Sequence, residues 1–249
     1  MHVTTKALVL REVKYREADK ILTVLTESEG KLTVNARGAL RKGSRIRAAS
    51  QFLTFSEMTL FCNKGRWSMD EAETIEQFLG VRQDICLLAL ASYFAELLEA
   101  VSEGDSASPE LLRLGLNALY ALSRGLYSPE HVKSAFELRL MCLSGYEPEL
   151  SACGVCGKVD IILPVFSLTG GTVYCRECRP EEGSAALPLC AGSLAAMRHI
   201  VNSNPKKIFS FTLDAAAQKR LGDICEAYVR EQLERGFRSL DYYKSLNCF

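Results

Sequence analysis

Cys153-Gly-Val-Cys156 and Cys175-Arg-Glu-Cys178 set four thiols in two C-x2-C pairs with eighteen residues between them. A two-residue spacer lets both thiolates of a pair reach one ion. Two such pairs complete the tetrahedral sulfur site that Zn²⁺ accepts at about 2.3 Å. Four protein sulfurs leave no position for water, so one structural zinc per chain is expected rather than a catalytic one. Two disulfides or a redox C-x-x-C are the competing readings, and a reducing compartment disfavours the first. Gly154 and Gly157 ease the tight knuckles. The insert, with Ile161 to Phe166, Gly170-Gly171 and Thr172 to Tyr174, reads as a hairpin that returns the second pair beside the first. Of the ten cysteines the other six, Cys62, Cys86, Cys142, Cys190, Cys225 and Cys248, are scattered and read mostly as packing residues.

A second constellation suits phosphate. The chain is neutral overall, yet residues 1–80 hold thirteen Lys or Arg against ten Asp or Glu, and no acid occurs between Gly30 and Ser56. A local field of one sign attracts phosphate even on a neutral protein. Within that window Arg37, Arg41, Lys42, Arg45 and Arg47 are spaced among small residues, which predicts a flexible arm able to follow a nucleic-acid backbone. Lys64 and Arg66 in a later turn extend the surface, and Trp67, Phe52 or Phe55 offer faces for stacking. Taken alone, a basic loop is more often solvated charge, and aromatics in barrel strands are more often core.

Enzymatic chemistry finds no residues to carry it. His2, His131 and His199 have no metal-ligand spacing to one another. Gly30-Lys31 resembles the end of a P-loop, but Leu25 stands at the required first glycine and Leu32 at the required Ser or Thr. No G-x-S-x-G occurs, and the cysteine pairs lack the upstream H-x-E of zinc deaminases. Glu181-Glu182 are neighbours in a turn and assign no paired-carboxylate role.

The elements that must position these groups fall into two kinds. Thr4 to Val13, Ile21 to Thr26, Lys31 to Ala36, Phe52 to Phe61 and Arg66 to Glu71 read as five short strands, with Glu27-Ser-Glu-Gly30 and Cys62-Asn-Lys-Gly65 as turns. Five strands in about eighty residues suit a small closed barrel of the OB type, which leaves no long edge. From Gln83 the apolar period becomes helical. Ser108-Pro-Glu110 and Ser128-Pro-Glu130 each combine an N-cap, a proline at N1 and an acid in the first turn. Helical pattern resumes over Ala191 to Asn202 and from Asp214 to Arg235. The expected fold is α+β: an OB-fold barrel over residues 1–80, then a helical domain over 81–249 with the cysteine module inserted at about 150–180. Charged residues at 24% and apolar ones at 48% describe a globular chain. The four-residue apolar run Ala7 to Leu10 is too short for a signal core or a span, which points to the cytoplasm and no membrane.

Phe136-Glu-Leu-Arg-Leu140 and Gly145-Tyr-Glu-Pro-Glu-Leu150 leading into Cys153, with Phe166-Ser167, Gly170-Gly171 and the closing cysteine pair, resemble the bacterial RecO family of DNA repair proteins. Ala7 to Arg11, Tyr15, Glu17, Asp19, Leu25-Thr26 and Glu29-Gly-Lys31 resemble its opening strand and hairpin, with Arg37-Gly38, Arg41-Lys42 and Ser44-Arg45 in the expected place. The resemblance covers nearly the whole chain in order, by pattern alone in residues 83–126 and the C-terminal quarter. It implies a non-catalytic recombination mediator, nucleoid-associated, that binds single- and double-stranded DNA and anneals complementary strands. Such proteins help load RecA onto DNA coated by single-strand binding protein, working with RecR and often RecF. Cys153, Cys156, Cys175 and Cys178 carry over as zinc ligands. The resemblance also implies that the helical body holds the C-terminal tail of single-strand binding protein, with Arg124, Lys133 and Arg139 as candidate cations. Glu137 and Arg139, two apart on a helix, do not face each other and read as separate structural anchors. An RNA-binding module built on the same barrel and zinc site is the alternative reading.

Overall fold

The computed structural model describes residues 1–102, 106–179 and 185–247; Glu181, Glu182 and Cys248 lie outside them. By compactness the chain forms two units, one of Met1–Arg124 with the chain from Phe237 onward, the other Gly125–Gly236.

In the first unit, strands β1 (His2–Tyr15), β2 (Asp19–Thr26), β3 (Lys31–Ala36), β4 (Phe55–Asn63) and β5 (Arg66–Glu76) close into a barrel of order β1-β2-β3-β5-β4. Period-two alternation sends Ala7, Val9, Leu22, Val24, Val34 and Met58 inward, all fully buried. Closure comes from the parallel pairing of β3 with β5, Val34 opposite Trp67 and Asn35 opposite Ser68. This is the OB-like barrel anticipated from the strand count. The first turn ends at Gly30, whose φ of +69° favours glycine, and an added Cβ would lie 2.4 Å from the Ser106 carbonyl oxygen. The second is the two-residue loop Lys64-Gly65, both at positive φ as a tight hairpin of this twist requires. β4 starts at Phe55 rather than Phe52, because the chain turns at Leu53 with φ +57°.

Helix α1 (Leu79–Arg82) is one turn; α2 (Ile85–Val101) packs on it, on α3 (Pro109–Ser123) and on β1 and β2. Asp84 caps α2 by accepting from the N–H groups of Cys86 and Leu87. Ser108 precedes α3 as expected, but only its carbonyl oxygen is used, by Leu111 and Leu112. The last helix, α7 (Arg238–Ser245), completes this unit against α2. Phe237 meets Tyr93 edge-on at 5.7 Å.

The second unit holds α4 (Pro129–Leu143), α5 (Ala191–Asn202) and α6 (Ala215–Leu233), with α4 packed on both others. Ser128 and Asp214 cap α4 and α6 through their side chains. Between α4 and α5 lies a small sheet of order β7-β6-β8: β6 (Val165–Ser167), β7 (Thr172–Tyr174) and β8 (Ala186–Pro188). The expected first strand of this hairpin is shorter than predicted. Residues 161–164 are irregular, with Leu163 at φ +49° just before Pro164.

Candidate functional site

Arg37, Arg41, Lys42, Arg45 and Arg47 are all exposed, on one loop that leaves β3 at the end of the barrel. The expectation of a flexible arm is corrected. The loop is a chain of tight turns, with N–H to carbonyl bonds from Arg41 to Gly38, Ser44 to Arg41 and Arg47 to Ser44. Apolar residues recur between the cations, and Ala39, Ile46, Ala49 and Leu53 are buried. Burial of these side chains holds the loop down and displays the charges on its outer side.

The β1-β2 hairpin fastens the same loop. Asp19 Oδ1 accepts from the Gly38 N–H at 2.7 Å, and the Ala18 carbonyl accepts from the Leu40 N–H at 2.9 Å. Lys20 Nζ donates to Glu12 at 2.7 Å and to the Ser50 carbonyl at 3.3 Å, while Glu12 also accepts from the Phe52 N–H. Arg82 binds the Phe52 carbonyl oxygen and, at 2.9 Å, the Thr54 hydroxyl.

Lys64 and Arg66 are exposed too, but the structure does not bring them to the loop. The parallel register sets the β4-β5 turn at the beginning of β3, whereas the basic loop leaves from its end. Arg45 overhangs a hollow of about 410 Å³ whose other walls include Glu57, Asp70, Glu71 and Glu73. Trp67, opposite Val34, turns toward the barrel core, and Phe52 and Phe55 are half-buried. The hairpin that fastens the loop carries an exposed aromatic, Tyr15, at 42%, paired across the strands with Asp19. Residues 11–15 are exposed without alternation beyond the irregularity at Val9–Arg11, so no local period marks it.

In the second unit the Sγ atoms of Cys153, Cys156, Cys175 and Cys178 all lie within 4.8 Å of one another. Gly157 donates to the Cys153 carbonyl at 2.9 Å and Cys178 to the Cys175 carbonyl at 3.1 Å, closing one turn over each pair. Gly154 is demanded by proximity: a Cβ there would fall 2.5 Å from Thr172 Cγ2 on β7. Regular tetrahedral bonds of about 2.3 Å imply sulfur separations of about 3.8 Å. Cys156 and Cys175 stand 3.8 Å apart.

The thiol electrostatics agree. Burial pushes Cys153 up, but N–H groups of Cys156, Cys175 and Val155 outweigh it and bring its pKa to about 6. Hydrogen bonds with the Cys175 and Cys156 sulfurs hold Cys178 up at about 12. Cys153 is readily a thiolate whereas Cys178 resists becoming one, so four anionic sulfurs at this spacing need a cation among them. The residues fit a metal of zinc's geometry.

The three candidate tail cations separate. Lys133 is buried and ion-paired to Glu137 and Glu226, which corrects its assignment as a docking cation. Arg139 donates to the Val201 carbonyl at 2.6 Å and to that of Ile200 at 3.4 Å. Glu137 and Arg139 thus hold different partners. Arg124 is exposed, lies 5.5 Å from the Tyr120 ring centroid, and lines a groove with Phe78, Leu79 and Tyr120.

Among the described residues no helix is long and apolar enough to cross a membrane. Residues 1–78 match the family described as Recombination protein O N terminal, and residues 82–241 match Recombination protein O C terminal. The chain is 32% identical over 246 residues to the DNA repair protein RecO of Acetivibrio thermocellus, covering 99% of this chain and 98% of that one. It is 34% identical over 242 residues to the protein of that name from Desulforudis audaxviator, covering 97% and 96%. Barrel, cysteine cluster and full-length similarity agree, and the chain belongs to the RecO family of DNA repair proteins.

Proposed function

We propose that this chain is a non-catalytic recombination mediator that binds single- and double-stranded DNA, anneals complementary strands and helps load RecA onto DNA coated by single-strand binding protein. The observation that carries the reading is the loop of five exposed cations anchored on an OB-like barrel. Cations that follow a phosphate backbone bind without reading sequence, as annealing of arbitrary complements requires. Residues 1–80 are the nucleic-acid-binding domain, with Lys64 and Arg66 as a separate, weaker contact.

Zn²⁺ bound by Cys153, Cys156, Cys175 and Cys178 supplies a cross-link that holds the module folded and no reaction step. RecR is the working partner, with RecF alongside. The groove at Phe78, Leu79, Tyr120 and Arg124 suits the acidic, apolar-ended tail of single-strand binding protein, because it joins an apolar wall to an exposed cation. Such a protein works in the cytoplasm at the nucleoid. The test is strand annealing by the purified protein, with and without single-strand binding protein. Acceleration of annealing on coated strands is expected, and none in either condition refutes the reading.

A further inference from the structure

The outer face of the first hairpin carries two large exposed apolar side chains, Val13 and Tyr15. Strand register sets Val13 opposite Ile21 and Tyr15 opposite Asp19, while Lys20 and Leu22, on the alternate face, are buried. Val13 and Tyr15 therefore point outward and stay 52% and 42% exposed at the free end of β1. Beyond Tyr15 the chain turns through Arg16 at φ +54°, which brings that guanidinium back to 5.1 Å from the centre of the Tyr15 ring. A ring held by a cation at the tip of a hairpin adds nothing to the barrel core. It has the makings of a stacking platform, because every unpaired base has a π-face and an arginine beside the ring can meet the adjoining phosphate.

The platform has a fixed position relative to the basic loop. Asp19 and Ala18 in the same hairpin hold Gly38 and Leu40 through the two bonds described above. Arg37 follows directly from β3, whose Ala36 pairs with Lys20 of the hairpin. Ring and cations are carried by one stitched body, so a strand whose phosphates follow the loop can lay a base on Tyr15. We infer that Tyr15, backed by Arg16, is the base-stacking platform of a single-strand DNA site whose phosphate contacts come from the basic loop. This rests on the DNA-binding reading above and adds a selectivity for unpaired bases that charge alone cannot give.

The experiment compares the full-length protein with its Tyr15→Ala, Tyr15→Trp and Arg41→Ala/Lys42→Ala/Arg45→Ala variants. Each is titrated with a single-stranded oligonucleotide, an abasic oligomer of the same length, and a duplex. The abasic strand keeps the charge and removes the base. Tyr15→Ala is expected to weaken binding of the ordinary single strand about tenfold. It should leave the abasic and duplex ligands within about twofold, and Tyr15→Trp should retain the preference. The loop variant should lose affinity for all three. An equal loss on all three ligands with Tyr15→Ala, or no loss on any, overturns the platform while leaving the loop reading intact. A wild-type protein that binds none of the three overturns both. A loop variant that binds like wild type, beside a selective loss in Tyr15→Ala, keeps the platform and removes the loop from it.

Discussion

The Lys133 ammonium stands 2.8 Å from the Glu137 carboxylate one turn along α4, and Glu226 of α6 closes the group at 3.0 Å. Their side chains keep 9%, 0% and 15% of their exposure, so the three charges depend on one another rather than on water. Lys133→Met leaves a carboxylate buried without its cation and should cost about 3–5 kcal/mol in urea denaturation. Replacing Lys133 and Glu137 together with apolar residues should cost less than Lys133→Met alone.

The same group sets an alkaline limit. Burial by itself lowers the Lys133 pKa, but Glu137 and Glu226 overcome it and raise it from 10.5 to about 12. A folded value above the unfolded one gives stabilisation that is complete below pH 10.5 and is lost as the pH rises toward 12. Denaturation midpoints of wild type should fall across that window, and those of the double apolar variant should fall less.

Protein purified without chelator should contain one zinc per chain by elemental analysis. Cys175→Ser should lower the thermal stability of the second unit and leave oligonucleotide affinity close to wild type, because zinc contributes directly to folding. Zinc-free protein with unchanged melting would remove the metal from the account.

If all five loop cations meet phosphates of one strand, log K against log salt should have a slope of roughly −3.5, at about −0.7 for each contact. Replacing Arg41, Lys42 and Arg45 with Ala should flatten it by about two units. An unchanged slope would move the DNA surface off the loop.

Arg124→Glu should weaken binding of an acidic peptide ending in an apolar residue by about tenfold, the scale of one charge-assisted bond, while DNA affinity holds. Fluorescence anisotropy measures it. Equal affinity of the two proteins would place the tail elsewhere.

What the sequence made legible was set by local chemistry. The C-x2-C spacing gave the cluster because the ligand geometry is written in the spacer. β3 and α5 carry strong period-two and helical patterns, and both match their expected limits of Lys31 to Ala36 and Ala191 to Asn202. α1 and α7 escaped because neither has a side-chain cap and they bury one and two residues respectively. β8 is three residues ending in proline, held by its pairing with β6. The order of the basic loop was hidden because its anchors are small or isolated apolar residues whose burial depends on the barrel around them. Tyr15 has no local signature as a stacking residue because its exposure follows from register, which is a property of two strands.

The return of α7 to α2 also fixes the order in which the chain can finish folding during its synthesis. Ser239 donates its N–H to Glu96 at 3.1 Å, and Phe237, Leu240 and Tyr243 are buried in the unit that begins at Met1. The unit that begins at Met1 is complete only once α7 has been made, whereas residues 125–236 form their own unit from segments made before it. A nascent chain stopped near Gly236 would hold its opening strands and α2 without the Phe237 ring that meets Tyr93 edge-on, so a break after Gly236 is felt in the unit that begins at Met1.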